Sequence, residues 1–242
     1  MIIGNGVTIG SGMTIATPAS IVTNGLLLNF DAASYTSGDW IDQHAGVPAT
    51  PFNAPTWSSD NGGTFILSAP SIQYFSVPWT TFQPTYTVDM WFNFTDSQPG
   101  DAPCLISDAY ENGNINFTIN ASGDHLLTGW YTTNWTGQYA TDNVPISLTH
   151  NGSTWYNITM AVGASEYKDY INGAVSYAPG NFGPSGAAPS GSSLTQQFFI
   201  GKRWDGGETV NAKIAVVNVY DRALSDAEVA KNFNYYRSRF GL

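Results

Sequence analysis

A chain of 242 residues with ordinary apolar content can bury a sizeable core, as one large all-β domain or two small ones, while Asn, Thr, Ser and Gly fill the surface places that Lys and Glu usually take. Its formal net charge of -10 excludes a basic nucleic-acid face, because phosphate contacts need clustered Lys and Arg and the one mildly basic stretch is Arg237 to Arg239. Cys104 is a lone cysteine, so no intrachain disulfide can form, and no stretch approaches the roughly 18 apolar residues of a membrane span.

The opening MIIGNGVTIG lacks the basic start and long apolar run of a secretion leader, which predicts a soluble protein made in a reducing cytosol. Six Asn-x-Ser/Thr triplets, at Asn93, Asn116, Asn120, Asn134, Asn151 and Asn157, then read as chance in a chain this rich in Asn and Thr. Residues 4 to 15, GNGVTIGSGMTI, write one hexad twice: Gly4 matches Gly10, Gly6 matches Gly12, Thr8 matches Thr14 and Ile9 matches Ile15. Glycine permits turn conformations and Val, Thr and Ile favour extended chain, so the pattern predicts turn, strand, turn, strand. Two copies are too few for a solenoid, which needs about three units to bury a continuous core. Pro18 then breaks regular structure, and a boundary near residue 22 divides an N-terminal arm, 1–22, from a domain over 23–242.

Beyond the boundary, GLLLNFDA at 25 to 32 predicts an opening strand. Further extended segments follow at 85 to 94, 115 to 120, 154 to 163, 167 to 177, 198 to 203 and 213 to 220, with turn clusters between them, the spacing of a sandwich or barrel. In TYTVDMWFNF, Val88, Met90, Phe92 and Phe94 alternate with Thr87, Asp89 and Asn93, while Trp91 breaks the split and implies that both faces are covered. Asn172-Gly173 within YKDYINGAVSY is a strong hairpin signal, because both central turn positions need positive φ. Residues 178 to 193 are rich in Gly, Pro and Ser and predict a long loop. Ser225 and Glu228 form a capping box opening a helix whose Val229, Phe233 and Tyr236 fall on one stripe.

Chemistry is sparse. The glutamates are Glu111, Glu166, Glu208 and Glu228, and none stands in the Glu-x-Asp-x-x-Glu pattern that places an acid and a nucleophile on one strand face for retaining glycoside hydrolysis. His44, His125 and His150 are scattered without metal-ligand spacing, no G-x-S-x-G elbow occurs, and GNGVTIGSG lacks the Gly-Lys-Ser/Thr of a phosphate loop. The chain reads as a non-enzyme with no metal or catalytic residues. What remains is recognition: TGWYTTNWTGQYATDN at 128 to 143 sets Trp130, Tyr131, Trp135 and Tyr139 among Thr, Asn and Gln, a mixture that stacks sugar rings and bonds their hydroxyls, and Trp204 in KRWDGGE is a second candidate. The alternative is that these aromatics are core residues of a strand pair.

The closing stretch FFIGKRWDGGETVNAKIAVVNVYDRALSDAEVAKNF resembles the final motif of laminin-G-like domains in the concanavalin A-like lectin/glucanase superfamily, through Ile200, Gly201, Ile214, Tyr220, Arg222, Ala223, Leu224, Ser225 and Glu228. The resemblance covers about residues 24 to 236 and implies an all-β jelly-roll β-sandwich with a short C-terminal helix. The family often has an acidic residue where this chain has Ala215 and Val216. It also often holds a structural calcium ion near the first strand, at the position of Asp31, which otherwise hydrogen-bonds the following turn. The doubled hexad is similar to the N-termini of structural proteins of tailed bacteriophages. That resemblance implies a virion protein of capsid-decoration, knob or tail-fibre type, made in the host cytoplasm. Its arm (Ile3, Val7, Ile9, Met13, Ile15) would anchor it to other virion proteins or to itself as a homo-oligomer, a trimer by analogy with fibres. The alternative for the arm is a strand added to the domain's own sheet, and the alternative function is an adhesin binding host-surface polysaccharide.

Overall fold

The computed structural model describes residues 6–9, 13–16, 20–79, 85–96, 98, 103–108, 116–122, 125–131, 142–145, 148–164, 167–177, 196–203 and 208–242. Within 6–9, 13–16, 116–122, 125–131 and 142–145, and at 79, 108, 167, 177 and 196, it describes the backbone alone. Ile3, Pro18 and the expected loop at 178–193 lie outside these residues.

The described strands are β1 (Gly6–Ile9), β2 (Met13–Ala16), β3 (Leu26–Asp31), β4 (Trp40–Ile41), β5 (Pro48–Phe52), β6 (Thr56–Ser58), β7 (Thr64–Leu67), β8 (Tyr74–Trp79), β9 (Tyr86–Phe94), β10 (Cys104–Asp108), β11 (Asn116–Ser122), β12 (His125–Tyr131), β13 (Asp142–Pro145), β14 (Trp155–Val162), β15 (Tyr167–Ile171), β16 (Ala174–Tyr177), β17 (Gln196–Ile200) and β18 (Ala212–Tyr220), followed by helix α1 (Asp226–Tyr236). One sheet runs β13-β12-β11-β10-β17-β8-β5-β4, and the other runs β16-β15-β14-β9-β18-β7-β6, with β3 also paired to β18. The named strand pairings are antiparallel, and the two sheets stack as a sandwich. β1 and β2 pair with each other, joining Val7 to Ile15, Thr8 to Thr14 and Ile9 to Met13 as a two-stranded ribbon.

Alternation builds the core. In β9, Val88, Met90, Phe92 and Phe94 enter the space between the sheets and meet Phe75, Val77, Phe198, Ile200, Val217 and Val219. Phe30, Trp40, Phe65 and Phe75 pack ring on ring there, with centroids 4.7 to 5.4 Å apart. The opposite face of β9 is also buried, as Trp91 implied, because α1 lies over it. Trp91 stacks with Phe233 at 5.6 Å and with Phe240 at 4.4 Å, beside Val229 and Tyr236. The place where relatives carry an acid is occupied by Ala215 and Val216, both fully buried in this helix-covered cluster, where a carboxylate would be desolvated. A register shift between Ile214 and Val216 changes which residues of β18 face the helix.

A polar row crosses the same face: the register sets Thr159, Asp89, Asn218 and Asn29 side by side on four strands. Asp89 accepts hydrogen bonds from Asn157 Nδ2 (2.7 Å), Thr159 Oγ1 (2.8 Å) and Asn218 Nδ2 (2.9 Å), and burial nonetheless pushes its carboxyl above the ordinary range. Asn93 and Asn157 are fully buried, so their sequons are closed to modification in the folded protein. The hairpin signal also holds: Asn172 and Gly173 turn between β15 and β16 with φ of 50° and 74°. Ser225 and Glu228 form the capping box of α1.

Candidate functional site

On β8, Phe75 and Val77 point into the core, and on β17 Phe198 and Ile200 do. The alternate positions therefore lie on the outer face of the eight-stranded sheet, which α1 does not cover. Phe52 on β5 pairs with Tyr74 on β8, and Ser76 on β8 pairs with Phe199 on β17. Three rings thus form a row across three strands. Phe52 and Tyr74 stack at 4.6 Å with 23° between planes, and Tyr74 meets Phe199 edge-on at 5.7 Å. Phe52 is 46% exposed while Phe199 is 8% exposed, so the row grades from an open ring to a supporting one.

Lys202 completes the face. Its Nζ lies 4.5 Å from the Tyr74 ring centroid and 4.7 Å from that of Phe199, and its backbone is held because Ser107 Oγ donates to its carbonyl at 2.9 Å. Alongside, Ser76 Oγ donates to Gln197 Oε1 at 2.5 Å on the exposed Gln197 side chain. Partial burial raises the Tyr74 hydroxyl above its usual value, so it remains a neutral donor.

The rim beside Phe52 and Tyr74 is strained and braced. Ile72, half exposed, holds φ 51° and ψ 50°, a left-handed conformation rare for a β-branched residue, and Asn53 and Ala54 also have positive φ. Gln73 Nε2 donates to the carbonyls of Asn53 and Ala54 at 3.0 Å each, Gln73 Oε1 accepts from Ser68 N at 2.9 Å, and Asn53 Nδ2 donates to Ser71 O at 2.9 Å. These bonds fix the turns that flank the aromatic row. Flat rings beside amide, hydroxyl and ammonium groups can stack a sugar face and bond its hydroxyls.

The residues singled out from the sequence fall elsewhere. Trp130 and Tyr131 stand on β12 of the same sheet, in register with Phe117 and Asn116, with only their backbone described. Trp135, Tyr139 and Trp204 lie outside the described residues. In β12 the strand path continues the row from Phe199 through Ser107 and Thr118 to Gly129, next to Trp130. Phe52, Tyr74 and Lys202 were not singled out, and Phe199 was read only as part of a strand. Alternation from a buried Ile200 was the signal that could have placed Phe199 outside.

The described carboxylates with resolved partners serve the fold. Asp31 accepts from Ala33 N at 2.9 Å and pairs with Arg239 Nη1 at 2.7 Å. A carboxylate already neutralised by a guanidinium does not fit calcium, which takes about six or more oxygens, and no cluster of three or more His, Cys, Asp or Glu suited to a metal occurs among the described residues. Glu208 pairs with Arg203 at 3.0 Å. Near the start of α1 a hollow of about 500 Å³ is lined by Lys168, Tyr170, Arg222, Asp226 and Glu228. Its charges bond one another: Asp226 takes Lys168 at 2.9 Å and Tyr170 at 2.8 Å, and Glu228 takes Arg222 at 2.5 Å. No helix among the described residues is long and apolar enough to cross a membrane.

A family model described as the concanavalin A-like lectin/glucanases superfamily matches residues 68–230, more than half of the chain. No curated protein sequence matches the chain. Among solved structures, the fold is similar to domain 4 of AbnA, a GH43 extracellular arabinanase from Geobacillus stearothermophilus, in complex with arabinotriose, with TM-score 0.65, 14% identity, 86% of this chain covered and 97% of that one. It is similar to the binding domain of Paraclostridial Mosquitocidal Protein 1, with TM-score 0.66, 16% identity, 88% of this chain covered and 52% of that one. It is also similar to botulinum neurotoxin type C, whose cell entry depends on two ganglioside molecules, with TM-score 0.64, 13% identity, 88% of this chain covered and 51% of that one. The chain thus spans nearly all of the arabinanase domain and about half of the toxin chains. At these identities the likeness establishes the fold.

Proposed function

This chain belongs to the concanavalin A-like lectin/glucanases superfamily, and we propose that within it the protein is a non-catalytic carbohydrate-binding module whose ligand lies on the outer face of the eight-stranded sheet. The observation that carries this reading is the row Phe52–Tyr74–Phe199, open at Phe52 and buried at Phe199, with Lys202 and Gln197 beside it. The Phe52 ring packs on Tyr74 yet leaves nearly half its surface in solvent, and an open aromatic surface beside hydrogen-bonding groups suits pyranose rings. Neighbours of the same fold support it: the arabinanase domain was solved with arabinotriose, and the neurotoxin engages gangliosides. By alternation from Gly129, Tyr131 falls on the same face and is proposed as its extension, while Trp130 falls on the opposite face of β12. Trp135, Tyr139 and Trp204 are proposed as further sugar-binding residues.

The test is a glycan array followed by calorimetry on the best ligand. Replacing Phe52 or Tyr74 by Ala should weaken binding about tenfold or more, the size of a lost apolar ring contact. Absence of any glycan binding, or binding indifferent to both changes, overturns the reading.

A second reading, assembly into a virion through the arm, is favoured by one observation: β1 and β2 form a ribbon paired to neither large sheet. A two-stranded ribbon is marginal alone and has two edges open to strand addition, so it calls for a partner surface. Both roles suit a particle-surface adhesin, in which the arm anchors a homo-oligomer and the sandwich meets host polysaccharide.

A further inference from the structure

We infer that the sugar accepted on this face is acidic, a glycan whose rings carry carboxylates such as a uronate or a sialoside, and that Lys202 reads the charge. The inference rests on the carbohydrate-binding reading above and names its ligand class. Arg203, the next residue, is paired with Glu208 at 3.0 Å, and Lys168, Lys213, Arg222 and Arg239 each have a carboxylate within 3.6 Å. Lys202, like Lys231 and Arg237 of the C-terminal helical segment, shows none among the described residues, and it alone of the three stands on the sheet face, its ammonium over the rings of Tyr74 and Phe199. A ring face leaves the ammonium's N–H donors largely unused, so a carboxylate arriving over the aromatic row gains a charge-assisted bond without displacing an internal one.

The position is also built. The Lys202 backbone bridges Thr209 and accepts from Ser107 Oγ, so the side chain springs from a fixed place and carries its ammonium over Tyr74 and Phe199, beside the open Phe52 ring. A sugar packed on the open Phe52 ring would bring a ring substituent toward Lys202, whose ammonium lies over the neighbouring Tyr74. The net charge of -10 does not forbid this, because charges further than about 8 Å are screened at physiological salt while a contact pair is not.

The experiment titrates the full chain with oligogalacturonate, oligomannuronate and sialyllactose, each beside a neutral counterpart made by methyl-esterifying the carboxylate. The wild type should prefer the free acids, and Lys202→Gln should lose about tenfold more affinity for the acids than for the esters. If acids and esters bind alike, or Lys202→Gln binds the acids as wild type does, acidic specificity is overturned while the carbohydrate-binding reading survives through Phe52→Ala. If acids, esters and a neutral glycan array all fail to bind a protein whose circular dichroism shows it folded, both readings fall.

Discussion

Glu228 is the residue on which most of the closing motif converges. Its carboxylate accepts from Arg222 Nη1 at 2.8 Å and Nη2 at 2.5 Å, and from Ser225 N at 2.9 Å and Ser225 Oγ at 3.0 Å. The Arg222 bonds come first among the causes that lower its pKa from 4.5 to about 2, against a desolvation that pushes the other way. A carboxyl whose folded value is depressed contributes stability above its unfolded value and loses it as pH falls through the folded one. Glu228→Gln keeps a side chain able to cap the helix but removes the charge. Since the pair is partly solvated, the wild type should exceed it by only about 1 kcal/mol at neutral pH. That margin should close between pH 4.5 and about 2, read by denaturant melts of both proteins across that range. A margin that stays constant with pH would mean that the ion pair contributes nothing. Arg222, part of the sequence motif by which the family resemblance was recognised, is therefore a fold residue here.

Helix α1 and the β15–β16 hairpin are tied at one glycine. Gly173 has φ 74°, and a Cβ added there would stand 2.6 Å from Phe233, the ring that stacks on Trp91. Gly173→Ala should cost about 2 to 3 kcal/mol, combining the left-handed penalty with displacement of Phe233. Gly38→Ala is the control, because Gly38 has φ 76° and nothing within 4 Å, so it carries only the backbone cost of about 1 kcal/mol. Equal losses in chemical denaturation would show that hairpin and helix are not coupled through this contact. The hairpin, the capping box and β9 were legible in the sequence because each is written locally: an Asn-Gly pair, a Ser three residues before a Glu, a period of two. β5 and β8 were not, because Pro48, Pro51 and Pro78 interrupt them and proline argues against a strand. The aromatic face stands on those two strands, so it was hidden with them. Phe199 was hidden differently, since Phe198 beside it is equally apolar and only the buried neighbours tell which of the two faces out.

At the scale of the molecule, the question is what the arm joins. Ile21 and Val22 already belong to the sandwich: both are buried in the helix-covered cluster, Val22 N donates to Asn232 Oδ1 at 2.8 Å, and Tyr220 OH donates to Val22 O at 3.2 Å. A chain begun at Asn24 would strip two core side chains and leave the buried Asn232 Oδ1 without its donor, costing about 3 kcal/mol or more, so a change in its mass would confuse assembly with unfolding. A chain begun at Ser20 keeps these contacts and should melt within about 0.5 kcal/mol of the full protein, because it removes the ribbon alone. Light scattering of the two then isolates the ribbon's contribution. An oligomeric full chain beside a monomeric Ser20 chain makes the doubled hexad a device for joining copies, as strand edges without a sheet to complete them would require. Equal masses sink self-assembly through the arm, and the open edges must then be met by a different protein or by the domain itself.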